Sequence, residues 1–390
     1  MIMLLSRAVR ALLRSVTNHC VPLRRRSCAS LARVCIAPLT RECCMTHVER
    51  TARAATVPLR IAVFSHGTEA PPATRAYREE LELFTAAERL GYDGAWVRQF
   101  HFRHDDAPAR GGLPSPFVFF AALAERTSTL RLGLGAVTLP HEDPVRVAED
   151  AAVLDAISDG RVELGVANGG GPETLDVFAP GLVGADHDTR RAAFDEQLAR
   201  LLDALRGASL GTGTARLNPD GSGLLDRIWD ATLSAESATV AARRGHGVLI
   251  GTTQTVPAEV TADAYHAALP DDAVPRVALS TAIYPAPDRE TALREARAGI
   301  EAKYAWGESF LPPATTLAEK ATSLNLHYGT ADDIAESIAS KPYSRYATQL
   351  NVQVDDGYSD VGARTDALAL FAEQVAPQLG AVLAHEAVTA

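Results

Sequence analysis

Four short runs of this chain hold side chains suited to proton transfer or to gripping a ligand. The first, Gln99-Phe100-His101-Phe102-Arg103-His104-Asp105-Asp106, packs two imidazoles and two carboxylates into six residues. That mix invites a metal reading, but no third ligand set stands out elsewhere, so the spacing argues against one. Two readings stay open: a solvated polar loop, or a role for His101 in moving a proton or orienting a substrate, since imidazole titrates near neutral pH. The second run is Gly133-Leu134-Gly135-Ala136-Val137-Thr138. Glycines inside a strand mark either tight packing or close approach of backbone to a ligand. The third, Ala167-Asn168-Gly169-Gly170-Gly171-Pro172, exposes backbone N–H groups that suit an anion or a planar ligand. The fourth, Ser234-Ala235-Glu236-Ser237, opens a helix. Serine there is either a plain N-cap or part of a phosphate site at the positive end of the helix.

Elements that must position these runs alternate along the chain. Strand patterns fall at 59–65, 92–97, 130–139, 161–166, 227–233, 247–251, 276–283 and 349–354, each followed by a helical pattern. The stretch 130–166 is a βαβ unit with its punctuation intact: the helix opens at Pro144 and closes at Ser158-Asp159-Gly160. Both of its strands are nearly continuously apolar, as in a parallel sheet covered by helices. Residues 207–223 read as a surface insertion, and 306–347 as an irregular insertion holding one short helix at 331–339. Eight strand–helix pairs predict a closed (β/α)8 barrel with insertions, one of them after the seventh barrel helix. An open doubly wound sheet would want a glycine-rich turn after its first strand, and Ser65-His66-Gly67-Thr68-Glu69-Ala70 is not that turn. In such a barrel all four runs lie where function sits, on loops at the carboxyl ends of strands.

Composition divides the chain at residue 57. Residues 1–57 hold ten Arg, no Lys and only Glu42 and Glu49, a net +8; the whole chain is −10, which leaves −18 for residues 58–390. All five Cys lie in that leader, so thiol chemistry and cysteine metal sites are excluded from 58–390. The leader resembles a transit peptide. The favoured reading is an upstream start codon, with Met45 the first residue of a cytoplasmic protein. The acidic balance argues against nucleic acid, and no uninterrupted apolar run reaches the length of a membrane span.

Four stretches together resemble the bacterial luciferase-like, flavin-dependent monooxygenases: residues 96–102, the block 130–166, Glu236-Ser237, and Gly329-Thr330-Ala331-Asp332-Asp333-Ile334-Ala335. The resemblance spans roughly residues 59–380. It implies an enzyme that uses reduced FMN, supplied by a separate flavin reductase, and O₂ to oxidise a small organic substrate, with no metal. By resemblance, Gly135–Ala136 forms a non-prolyl cis peptide against the flavin ring, and Asn168 and Gly169 border the ring. Glu236-Ser237 and Arg190 would hold the phosphate, with the neighbouring Arg191 able to substitute. His101 would be the catalytic residue nearest the reactive face, and the 306–347 insertion, with Trp306 and Phe310, would form a lid. Pairing through helices beside the second and third strands, as in many relatives, implies a homodimer. One departure matters: the family motif commonly reads Glu-His-His with its first His catalytic, and here Phe100 takes that position. Ala167 likewise replaces the reactive luciferase cysteine. A deazaflavin-dependent hydride-transfer enzyme on the same barrel, and a flavin-binding relative without turnover, are the alternatives.

Overall fold

The computed structural model describes residues 57–67, 72–102, 113–169, 171–251, 256–308, 311–354, 357–358 and 360–384. The expectations placed on the leader, on residues 103–106, on Gly170 and on Phe310 fall outside them. Eight parallel strands close a barrel in the order β1 (Leu59–Ser65), β2 (Gly94–Val97), β3 (Arg131–Thr138), β4 (Val162–Ala167), β5 (Ile228–Ala231), β6 (Gly247–Ile250), β7 (Val277–Pro285) and β9 (Gln349–Gln353). The ring is sealed because β9 pairs with β7 on one side and β1 on the other. This is the (β/α)8 architecture expected from the alternation.

Helices α1 (Ala73–Arg89), α2 (Pro116–Ala124), α3 (Pro144–Ile157), α5 (His187–Leu205), α6 (Ala235–Arg244), α7 (Ala258–Ala268), α8 (Arg289–Gly307) and α11 (Val361–Leu370) follow the barrel strands in turn. Several of their starts are set by short polar side chains. Asp143 accepts from the amides of Val145 and Arg146, Asp186 from Thr189 and Asp288 from Thr291, each satisfying N–H groups the helix cannot pair itself. Gly245 ends α6 at φ 76°, a left-handed position that a side chain would disfavour.

Two parts of the expected layout need correction. The loop after β4 contains a helix, α4 (Pro172–Phe178), where only a glycine-rich connection was expected. Proline at the first helical position and Asn-Gly-Gly before it hide a two-turn helix from a periodicity count. The 306–347 insertion is more ordered than expected: it holds α9 (Leu317–Ser323), β8 (Leu326–Gly329) and α10 (Ala331–Ala339). Strand β8 extends the carboxyl half of β7, and Tyr284, Ile300, Tyr304, Leu324 and Tyr328 form a second apolar core there. A further two-residue strand, β10 (Ala381–Val382), pairs with the start of β1.

The lower barrel is filled, not hollow. Trp96 and Trp229 meet edge to face at 5.4 Å beside Ala62, Phe64 and Ala278. A Cβ on Gly133 would lie 2.1 Å from the Trp96 ring and one on Gly247 2.4 Å from the Trp229 ring, so both glycines exist to admit the indoles. The Trp229 Nε1–H donates to Glu163 at 2.7 Å, and Glu163 is paired in turn with Arg131. This floor lies beneath the cavity lined by the carboxyl ends of the strands.

Candidate active site

A cavity of about 890 Å³ opens above that floor. Its wall is assembled from all eight barrel strands and the turns that follow them: Phe64 from β1, Gln99 to His101 after β2, Gly135 and Ala136 in β3, Ala167 to Gly169 at the end of β4, Asp230 to Ser234 at the end of β5, Leu249 to Gly251 at the end of β6, Ser280 in β7, and Asn351 and Gln353 in β9. Function on one rim follows from parallel strands, which all deliver their carboxyl ends to the same side.

In β3 the peptide Gly135–Ala136 is cis, and the pairing of β3 with β4 shifts register between Leu134 and Val137. The shift turns this segment's backbone toward the cavity. Gly133 and Gly135, two residues apart, therefore differ in role: the first yields space to Trp96, while the second lines the cavity beside Phe64. Asn168 and Gly169 continue this wall. The Asn168 Oδ1 is buried without a protein partner, and a side chain on Gly169 would meet nothing within 4 Å. A buried carbonyl oxygen with an unused lone pair is a ready acceptor for a ligand N–H.

Across the cavity, α6 begins with Ser234 and Ser237, whose hydroxyl oxygens lie 2.6 Å apart; the Ser237 amide donates to Ser234 Oγ at 3.2 Å. Both line the cavity, and so does Arg191 on α5. The Arg191 Nε–H donates to Asp195 at 3.3 Å, and Asp195 also receives Arg244 at 2.9 Å. Arg244 approaches Asp230 at 3.9 Å, and Asp230 lies 3.1 Å from the buried His246 Nδ1. This chain of alternating charges ties α5 to α6 and fixes the guanidinium beside the helix end. A helix N-terminus, two hydroxyls and a guanidinium form an anion grip.

Of the expected phosphate residues, Ser237 lies in the grip, whereas Arg190 and Glu236 do not line the cavity. Glu236 is exposed in the first turn of α6, and a carboxylate there suits the helix end but not a bound anion. Arg190 is half-buried, with its Nε unpartnered in the protein. Arg191, the expected substitute, occupies the position.

At the mouth, Gln99 is nearly buried and triply tied: its Nε2 donates to Glu142 Oε1 at 2.6 Å and to the Pro114 carbonyl at 3.4 Å, and its Oε1 accepts from the Thr138 amide at 3.0 Å. This clamp joins the ends of β2 and β3. Phe100 lines the cavity beneath the Arg98 guanidinium, 4.7 Å from its ring centre. His101 also lines it, half-buried, with Nε2 unpartnered. Burial lowers its pKa, so the ring is neutral at physiological pH. A second imidazole, His141, lines the same wall with ring centres 5.6 Å apart. The run Pro140-His141-Glu142-Asp143 between the strand and helix patterns drew no reading of its own, so sequence reasoning missed it. Within the 306–347 insertion Trp306 alone of the described residues reaches the cavity; Leu311, Ala321, Leu324 and Tyr328 pack in the second core, and Ile334, Ile338, Tyr343 and Tyr346 in the main one.

Among the described residues no three His, Cys, Asp or Glu side chains are grouped to hold a metal, and no helix is long and apolar enough to cross a membrane. The β3 bulge and the start of α6 thus line one cavity. The chain belongs to the luciferase-like monooxygenase family, whose model matches residues 58–356. A flavin-dependent trigonelline monooxygenase, oxygenase component, of Acinetobacter baylyi is 31% identical over 127 residues, 32% of this chain and 34% of that protein. Across the first of its curated relatives the chain spans about a third to a half of their length. The oxygenating constituent of 3,6-diketocamphane monooxygenase from Pseudomonas putida, solved with FMN, superposes with a TM-score of 0.66 at 18% identity, covering 84% of this chain and 99% of that one. A coenzyme F420-dependent tetrahydromethanopterin reductase from Methanopyrus kandleri gives 0.58 at 18% identity, covering 83% and 99%. At such identities the likeness is one of fold.

Proposed function

We propose that this protein is an FMN-dependent monooxygenase that oxidises a small organic substrate. The observation that carries the reading is the shared cavity, with the Ser234–Ser237–Arg191 grip at one side and the Gly135–Ala136 bulge with Asn168 at another. The first suits a ribityl phosphate and the second the edge and face of an isoalloxazine ring. Asn168 Oδ1 is free to accept from a ring N–H. Reduced flavin, when bound, supplies the activation of O₂ and the delivery of one oxygen atom to the substrate. The chain's own residues hold the phosphate, orient the ring against the β3 bulge and line the cavity with Phe64, Ala136 and Leu249, which keep water from the reacting atoms. Neutral His101 offers Nε2 to a substrate or to a proton in transit. A separate reductase would supply reduced FMN, by analogy with the relative named as an oxygenase component; both would work in the cytoplasm. Exposed Val118 on α2 with Val153 and Ile157 on α3 supports pairing of two copies through those helices.

The test is titration of the full chain with FMN, read by flavin fluorescence. Ser237→Ala and Arg191→Ala each remove a charge-assisted bond and are expected to weaken binding by about 10- to 100-fold, with Arg190→Ala near wild type. Unchanged affinity in both cavity variants rejects the phosphate assignment. A deazaflavin run in the same titration competes directly with FMN as the cofactor. Phe100 sustains a second reading, a flavin binder without turnover, because a phenyl ring cannot move a proton. Rapid mixing of the reduced-flavin complex with O₂ decides it: simple two-electron reoxidation with no oxygenated product, across substrates, favours the binder.

A further inference from the structure

The mouth of the cavity holds a feature that flavin binding leaves unused. His101 and His141 face one another nearly edge to face, at 5.6 Å and 75°. Phe178, from the end of α4, packs on both, 4.7 Å from His101 and 5.7 Å from His141. Phe102 stacks on Phe178 at 5.4 Å with ring planes 3° apart. Two imidazoles thus stand inside an aromatic collar.

Three of their ring nitrogens, His101 Nε2 and both nitrogens of His141, are buried with no hydrogen-bond partner in the protein. The nearest carboxylate, Glu142, is engaged by Gln99 at 2.6 Å. Arg98, Glu173, His187 and Arg191 are further titratable groups on the cavity wall; Arg191 is paired with Asp195 and His187 is turned to Asp188 at 3.3 Å. Burial together with the neighbouring ring pushes the His141 pKa down to about 4, and burial lowers that of His101. Both rings are therefore neutral at physiological pH, and each presents one donor and one acceptor nitrogen. Buried nitrogens without partners cost free energy that only water or a ligand can recover.

We propose that His141 is a substrate-positioning residue that, with His101, holds a neutral hydroxyl group carried on a planar apolar compound. The cavity wall of Phe64, Phe100 and Ala136 supplies the apolar surface for the planar group, and the imidazole pair, backed by Phe178, supplies one donor and one acceptor at the oxygen. A carboxylate fits less well, because it has no hydrogen to give the acceptor nitrogen and meets no fixed positive charge from the pair. This substrate class rests on the monooxygenase reading, since it takes this mouth as the substrate side of the flavin.

The test uses 2-naphthol, naphthalene and 2-naphthoate as probes, with binding to the full chain measured by calorimetry at neutral pH, with and without oxidised FMN. Wild type is expected to bind 2-naphthol about tenfold tighter than either of the others, the worth of one or two net hydrogen bonds. His141→Phe keeps a ring in the collar and is expected to retain naphthalene affinity while losing the preference for 2-naphthol; His101→Phe should do the same. The assignment is overturned if His141→Phe keeps the preference, or if wild type shows none, prefers the carboxylate or binds no probe. FMN affinity measured on the same samples separates the two readings. Normal FMN binding without a naphthol preference removes His141 alone, whereas a preference in a protein that ignores FMN removes the cofactor reading.

Discussion

The choice of an amide over a carboxylate at residue 99 shows how closely this rim is specified. Gln99 donates to Glu142, so a glutamate at that position, as in the commoner family motif, would set two carboxylates against each other in a nearly buried place. Gln99→Glu is expected to cost about 1–3 kcal/mol at neutral pH. The loss should shrink as the pH falls and the pair shares a proton, and Glu142→Gln should restore it; urea denaturation across pH checks both. An unchanged midpoint in Gln99→Glu would contradict the geometry. Residue-level features were the least legible in sequence. Gly133 and Gly135 look alike in the string, yet a neighbouring strand's indole claims one and the cavity the other. Arg190 and Arg191 differ by one helical step, about 100° of rotation, and the phase of α5 against the barrel is set by tertiary packing. His141 carries no local signal at all, because its role arises only where the ends of β2, β3 and α4 converge.

At the scale of elements, strongly periodic segments were readable and short ones were not. The barrel strands and the capped helices follow from apolar runs and from Asp143, Asp186 and Asp288. Strand β8 escaped because its four residues, Leu326 to Gly329, follow Asn325 at φ 52° and resemble a turn. Its neighbour α10 was seen, helped by the capping box of Thr330 and Asp333. Strand β8 also carries a pH liability. His327 is buried, with Nδ1 2.8 Å from Ser337 Oγ, and burial with the nearby Lys341 charge pushes its pKa down to about 3. In the unfolded chain a histidine takes up its proton near pH 6.5. The folded state resists protonation, so stability is fully present above that pH and is lost as the pH falls toward 3. The slope contributed is at most about 1.4 kcal/mol per pH unit. His327→Gln is expected to flatten the fall of the denaturation midpoint over this window, whatever its effect at neutral pH; an unaltered slope would exclude His327 as its source.

For the whole molecule, the decisive contact is at the seam. Arg364 on α11 pairs with Glu80 on α1 at 2.5 Å, both buried, and its Nε–H donates to the Val354 carbonyl at 3.0 Å just beyond β9. It bolts the last barrel strand to the first helix. Arg364→Met is expected to cost about 3–5 kcal/mol by breaking a buried ion pair, and Arg364→Met with Glu80→Leu to recover most of that, read as shifts in thermal unfolding. The barrel itself was legible because eight strand–helix repeats leave few other ways to bury both faces of a parallel sheet. This bolt was not, since nothing local in either helix names its partner.

The seam joins groups 284 residues apart along the backbone, and the strand that seals the ring pairs with two neighbours that leave the ribosome long before it. During synthesis the nascent sheet must wait with two raw edges, held from sticking to other chains by its helices or by chaperones. Translation speed through the segment between β7 and β9 thus becomes a determinant of yield, independent of how stable the finished ring is.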